Sequence, residues 1–245
     1  MKTTVMALMA VAVLALVAAP AIADWNEGDP YKMHWPQMPN PVGWDVAFST
    51  NLADDWGCTQ SGPVTDIHFW ISWKGDEDLS SQIGMISAVI HADDRTGEYS
   101  KPGEFLWGQA FLPDQVTIRP YGTGDQGWFD PLEGVVIPND HQLIYQVNIT
   151  DIHNPFYQEE GKIYWLDLYI QDKDGWPLPV GWKTSGADHF EDDAVFWAGN
   201  EYFELIDPRT QESLDLAFVI TPEPATLMLI TLGGTGLIFR RKKRK

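Results

Sequence analysis

The sequence predicts an all-β domain, an antiparallel β-sandwich of jelly-roll-like strand order. Three observations carry that expectation. Apolar residues alternate with period two: Ile67, Phe69, Ile71 and Trp73 share one face, while Asp66, His68, Trp70 and Ser72 share the other. Clusters of Gly, Pro, Asn and Asp separate seven or more such segments. No window of a dozen residues between 24 and 221 carries an apolar stripe at helical spacing. Many short strands without helices fold as sandwiches or barrels.

Taken in chain order, the first 23 residues stand apart. Met1-Lys2-Thr3-Thr4 carries one positive charge, Val5 to Val17 is apolar and uncharged, and Ala18-Ala19-Pro20-Ala21-Ile22-Ala23 follows. Ala21 and Ala23 form the small-x-small exit that signal peptidase accepts, so residues 1–23 are expected to be a signal peptide handled by the Sec translocon and cut after Ala23. The apolar run is shorter than the roughly 20 residues a membrane span needs. Residues 24–43 contain Pro30, Pro36, Pro39 and Pro41, which excludes a helix interior and predicts an extended arm.

The β domain is expected over 44–221, opening on Trp44-Asp45-Val46-Ala47-Phe48. Ile83 to His91 is almost continuously apolar, and Val116 and Ile118 alternate before Arg119-Pro120. Leu143, Tyr145, Val147 and Ile149 alternate cleanly, and Ile163 to Ile170 is apolar on both faces. Ala194 to Trp197 is a short strand, and Leu214, Leu216, Phe218 and Ile220 close the domain.

Residues 24–221 hold nine Lys and Arg against 34 Asp and Glu, a formal charge of −25. Such a surface lacks the clustered cations that phosphate contacts require, which disfavours nucleic acid and anionic lipid as partners. Cys58 is the sole cysteine, so no intramolecular disulfide forms, and burial as a small apolar residue is expected. All 12 tryptophans lie after residue 23, which predicts a thick aromatic core.

Few residue patterns point to chemistry. There is no G-x-S-x-G, no H-E-x-x-H and no cysteine pair, and the six histidines are scattered. With 34 acids, a carboxylate pair of glycosidase spacing arises by chance, so a hydrolase reading rests on nothing specific. Asp172-Lys173-Asp174-Gly175 opens like a calcium loop but lacks the closing Glu, and the hairpin turn is the favoured reading. Asp188, Glu191, Asp192 and Asp193 crowd like charges that water or a calcium ion must relieve. No other cofactor is expected. Trp176-Pro177-Leu178-Pro179-Val180-Gly181-Trp182 puts Trp176 and Trp182 in a Pro-rich loop, where indoles either stack on sugar rings or cap the core.

The C-terminal segment is the most specific signal. Pro222-Glu223-Pro224 precedes an apolar stretch over 225–239, then Arg240-Arg241-Lys242-Lys243-Arg244-Lys245. Fifteen helical residues span about 22 Å at about 1.5 Å each, short of a hydrocarbon core of about 30 Å. Gly233, Gly234 and Gly236 weaken it further, and the cations hold its end in the cytoplasm. A single marginal transmembrane helix with the domain outside is therefore expected. Pro-Glu-Pro, a short apolar helix and a basic end together resemble the PEP-CTERM sorting signal. The resemblance implies recognition by an exosortase, transient residence in the inner membrane, removal of the tail, and display on the cell surface or in an extracellular polymer matrix.

The domain carries a second resemblance. Leu52-Ala53-Asp54-Asp55-Trp56-Gly57-Cys58, Gly62-Pro63-Val64-Thr65-Asp66-Ile67-His68-Phe69-Trp70, Gly181-Trp182-Lys183-Thr184-Ser185, His189, Asp192-Asp193-Ala194-Val195 and Asp215-Leu216-Ala217-Phe218 recur in order. They are similar to an uncharacterised domain of planctomycete-type surface proteins that often carry PEP-CTERM tails. That resemblance implies a β-sandwich and no catalytic residue. The function expected is a non-enzymatic, structural or adhesive surface protein. The alternatives are a carbohydrate-binding module for extracellular polysaccharide and a secreted hydrolase of such polymers.

Overall fold

The computed structural model describes residues 24–186 and 188–221. The signal peptide expected over 1–23, the sorting motif and the helix expected over 225–239 lie outside the described residues. Among the described residues no helix is long and apolar enough to cross a membrane. The compact unit that holds the domain is Glu27–Pro222.

Its strands are β1 (Trp44–Ala47), β2 (Leu52–Gly57), β3 (Gly62–Pro63), β4 (Asp66–Trp73), β5 (Ile83–Asp94), β6 (Lys101–Phe111), β7 (Val116–Asp130), β8 (Val135–Ile149), β9 (Tyr157–Gln158), β10 (Ile163–Asp172), β11 (Val180–Lys183), β12 (Val195–Ala198), β13 (Glu201–Glu204) and β14 (Phe218–Thr221). They form two six-stranded sheets, ordered β11-β1-β7-β8-β4-β14 and β13-β12-β2-β10-β5-β6, with β3 and β9 paired separately. The sandwich expectation holds. The named pairings are antiparallel except β1 with β7, which run parallel.

The first sheet closes on itself. Strand β4 pairs with β8 along one edge, while β14 and then β11 share the other edge. Because β11 also pairs with β1, the path β4-β8-β7-β1-β11 is a ring of five strands.

Between the sheets lies the aromatic core. Eight of the 12 tryptophans are buried. Trp182 packs its ring against Phe48, Phe69 and Phe218 at centroid distances of 6.1, 5.9 and 6.0 Å. Its indole N–H donates to the Ala217 carbonyl at 2.8 Å, so burial leaves no polar atom stranded. Cys58 is free and buried.

The N-terminal arm is extended and pinned to the domain. Lys32 N–H donates to Ile220 O, Gln37 N–H to Phe218 O, and Asn40 N–H to Thr184 O. Met33 and Pro39 bridge Cys58 and Ser185. These bonds cover β14, whose free edge is otherwise a template for pairing with other chains.

Three charged groups are sealed on the face of the first sheet opposite the core. Alternation puts Asp45 of β1 directly opposite Lys183 of β11. Lys183 Nζ donates to Asp45 Oδ2 at 2.8 Å, and His141 Nε2 meets the same oxygen at 2.8 Å. All three side chains are closed to solvent. Burial pulls Lys183 down from its ordinary value, opposed by Asp45. Burial also works against a charge on His141, yet the Asp45 and Asp140 carboxylates hold its value above the ordinary one. A network with no access from solvent organises the sheet; it does not meet a ligand.

Candidate functional site

The outer face of the second sheet is the chemically richest surface. Strand alternation turns Ala53 and Asp55 of β2, Trp165 and Asp167 of β10, and His91 and Asp93 of β5 to this side. Strands β12 and β13 extend the sheet past the first half of β2 only, since Val195 opposes Ala53 and Phe196 opposes Leu52. A small apolar cluster of Ala53, Trp165 and Val195, with Tyr202 packed on it, fills the middle.

A cleft of about 480 Å³ opens on this face, lined among others by Asn51, His91, Lys101, Trp197, Glu201 and Tyr202. That volume falls in the range of about 300–1,000 Å³ typical of small-ligand sites. Trp197 and Tyr202 face each other across the β12–β13 ladder, their rings edge to face at 4.9 Å. Beneath them Asp167 is buried and saturated: Tyr202 donates its hydroxyl to Oδ2, and Asn51 donates Nδ2 to Oδ1 at 2.8 Å. Burial pushes the Asp167 carboxyl up, while those two hydrogen bonds and His91 pull it back. Burial and the adjacent Asp167 drive the Tyr202 hydroxyl far above its ordinary value, so it remains a fixed donor. The cleft thus sets an exposed indole edge beside amide, carboxylate and imidazole side chains.

On the same face lies a set of acidic residues around Asp55. Residues 188–193 carry no strand and cross over the outer face: Phe190 N–H donates to Asp215 Oδ2 at 3.0 Å, and Asp192 Oδ2 accepts from Ser100 Oγ at 2.6 Å. Under them Asp55 is fully buried, and neither of its oxygens has a hydrogen-bond partner. Burial, together with Asp215, Asp93, Asp192 and Glu191, pushes its carboxyl well up. Asp193 is raised to about 6, by burial first and then by Glu204, Asp215 and Asp192. Arg95 stands at the rim, bridging Asp93 at 2.5 Å and Glu191 at 3.1 Å.

A second cleft of about 580 Å³ includes Asp207, Asp215 and His189. Asp207 is committed to structure: Oδ1 accepts from the amides of Arg209 and Thr210, and Oδ2 from Trp44 Nε1 at 2.8 Å. Those amides, with Trp44 and Arg209, overcome the cost of burial and hold its carboxyl below the ordinary range. Its lone pairs serve the loop and do not point at a substrate.

The residues singled out from sequence fall in three places. Trp176 sits at the tip of the short turn closed by the Gln171–Pro177 bridge after β10 and is 70% exposed, whereas Trp182 is 0% exposed in β11, which lies in the other sheet. Of the two alternatives read from the sequence, Trp182 takes the core one, so it cannot pair with Trp176 as a sugar platform. Strand β11 starts at Val180, immediately after the prolines, and alternation drives Trp182 into the core. Asp172 and Asp174 form a turn. Asp172 Oδ1 accepts from the amides of Asp174 and Trp176, and Gly175 takes φ 88°. Asp192 acts on Asp55 and Asp193 on Asp215 and Glu204, while Asp188 is exposed. Among the described residues no three His, Cys, Asp or Glu side chains are grouped to hold a metal ion. Ala21, Ala23, the Pro222-Glu223-Pro224 motif and the basic tail Arg240, Arg241, Lys242, Lys243, Arg244 and Lys245 lie outside the described residues. Sequence reasoning missed Asn51, His91, Asp167, Trp197 and Tyr202; only strand register brings them together.

Comparison with known families agrees with these features. The chain belongs to the family described as Domain of unknown function (DUF7901), whose model matches residues 33–221. The PEP-CTERM protein-sorting motif matches residues 221–244. No curated protein and no solved structure matches the chain. The motif implies an exported protein, recognised by an exosortase and sorted at the membrane toward the cell surface. Neither family description carries a catalytic activity.

Proposed function

We propose that this member of the DUF7901 family is a non-enzymatic surface or matrix component, structural or adhesive in role. The observation that carries this reading is the way the domain spends its side chains. The space between the sheets is filled by buried Trp, Phe, Ile and Leu. Asp167 beneath the first cleft and Asp207 in the second are bonded to tyrosine, amide and backbone groups, and the exposed acids Glu201 and Glu212 lie in different clefts. A hydrolase of this size would hold two free carboxylates across a substrate-sized cleft. The strongly acidic surface keeps such a domain soluble once released.

A second reading has its own support. The cleft with Trp197 and Tyr202 has the residue types that contact saccharides, so adhesion through extracellular polysaccharide is the mode the geometry favours. Co-sedimentation of the exported protein with polysaccharide from its own cells tests both statements. Retention without new reducing ends supports an adhesive role, and release of reducing ends overturns it. Absence of retention removes the polysaccharide reading and leaves a structural one.

A further inference from the structure

Lys183, Asp45 and His141 bring an amine, a carboxyl group and an imidazole together where no solvent reaches. Strand register sets Asp45 of β1 opposite Lys183 of β11, 138 positions apart in the chain. Lys183 Nζ donates to Asp45 Oδ2 at 2.8 Å and to the Trp44 carbonyl at 3.1 Å, so the amine is fixed beside the carboxyl group. The carboxyl carbon is one C–O bond beyond that oxygen, close to the separation of about 3–3.5 Å from which a nucleophile attacks. Asp45 Oδ1 is buried and has no hydrogen-bond partner. A sealed ion pair offsets its desolvation only when the remaining lone pairs are satisfied, so the charged form of this pair is costly. An amide in its place carries no charge at all.

We propose that Lys183 and Asp45 condense into an intramolecular isopeptide bond, Nζ to Cγ, that joins β11 covalently to β1. Proton transfer within the pair gives a neutral amine and a carboxylic acid. The Nζ lone pair then attacks Cγ, the C–Oδ2 bond breaks, and Oδ2 departs as water. Of the three ammonium protons, one stays on the amide nitrogen and two leave with Oδ2, while Oδ1 becomes the amide oxygen. The balance needs no oxidant or co-reactant. Burial favours the neutral form of Lys183, which is the nucleophile. His141 is placed to carry a proton from nitrogen to the leaving oxygen: Nε2 lies 2.8 Å from Oδ2, and Asp140 holds Nδ1 at 3.0 Å. The Asp140 side chain is 11% open to solvent, which gives the released water a way out. The bond closes the five-strand ring covalently. A cross-link over so long a loop restricts the unfolded chain, as a disulfide does. It suits an exported domain whose cysteine, Cys58, is free. The chain before condensation is the reference for stability differences at this pair. The inference is independent of the sugar reading.

The test is mass spectrometry of the exported protein, denatured after folding and storage. The chain is expected to be lighter by one water than its own termini require. Tryptic digestion is expected to leave Lys183 uncut and joined to the peptide that holds Asp45. Lys183→Arg keeps the charge but cannot form this amide, and it is expected to restore the full mass. His141→Gln is expected to slow the loss of water by about a hundredfold. Folded wild-type protein that keeps its full mass on storage overturns the proposal, whether or not the variants fold. So does a loss of water that persists in Lys183→Arg, and equal rates in His141→Gln overturn the role given to His141.

Discussion

Lys183 Nζ lies 2.8 Å from Asp45 Oδ2 in the interior of the first sheet, with neither side chain open to solvent. The pair ties β11 to β1, and Lys183 also donates to the Trp44 carbonyl at 3.1 Å. Removing one partner strands the other charge. Lys183→Met is expected to cost about 3–5 kcal/mol, measured by denaturant unfolding. The double variant Asp45→Asn with Lys183→Met is expected to recover most of that loss, because neither member of the pair leaves an unmatched charge and His141 keeps Asp140 as a partner. Additive losses in the double variant would show that packing, and not charge, makes the contribution.

The two tryptophans of the 176–182 segment should separate cleanly. Trp182→Ala opens a cavity among Phe48, Phe69 and Phe218 and is expected to cost about 3–5 kcal/mol. Trp176→Ala at the turn tip is expected to stay within about 0.5 kcal/mol of wild type. Comparable losses at both positions would contradict the assignment of Trp182 to the core.

His34 gives a pH dependence with a defined sign. Its ring stacks on Phe190 at 3.6 Å, accepts from the Gly57 amide through Nδ1, and leaves Nε2 buried without a hydrogen-bond partner. Burial lowers its value to about 3. Below about pH 6.5 the unfolded chain takes up a proton that the folded chain refuses. Stability is therefore lost as pH falls from about 6.5 toward 3, by up to about 1.4 kcal/mol per pH unit from this residue. The difference between wild type and His34→Gln, followed by denaturant unfolding from pH 7 to pH 4, should grow with that slope in favour of the variant. A constant difference would show that His34 is free to protonate in the folded state.

Trp197 is the exposed aromatic of the cleft on the second sheet. Trp197→Ala is expected to weaken retention on extracellular polysaccharide by about fivefold or more, the order of 1 kcal/mol for a partly exposed contact. Trp176→Ala is expected to leave retention unchanged. The reverse pattern, read in the same co-sedimentation assay, would move the contact to the turn tip.

Much of the fold was legible in the sequence because burial writes period-two patterns. Ile67 to Trp73 and Leu143 to Ile149 read as strands and are strands, paired in register as β4 and β8. Strand β2 escaped notice because Asp54 and Asp55 interrupt its apolar pattern, and both are buried. Strand β6 contains Pro102 and Gly103 and lies at a sheet edge, where such residues are tolerated. Strand β11 is hidden behind Pro177 and Pro179, so the sequence leaves Trp182 open between a sugar platform and the core. The cleft was least legible. Asn51, His91, Asp167, Trp197 and Tyr202 are spread over 152 positions, and only the pairing of β12 with β2 and β13 assembles them. The acidic neighbours of Asp55 are half visible: Asp192 stands in a charge run, but Asp55 nears it through the fold alone.

The central claim is that this acidic, tryptophan-rich sandwich is cargo for a sorting system and ends outside the cell. Intact mass of the protein recovered from the surface or matrix fraction tests it most directly. The account predicts a chain beginning at Asp24 and truncated near Pro222-Glu223-Pro224, without the apolar stretch and the basic tail. A chain still ending at Lys245, in cells with an active exosortase, would contradict it.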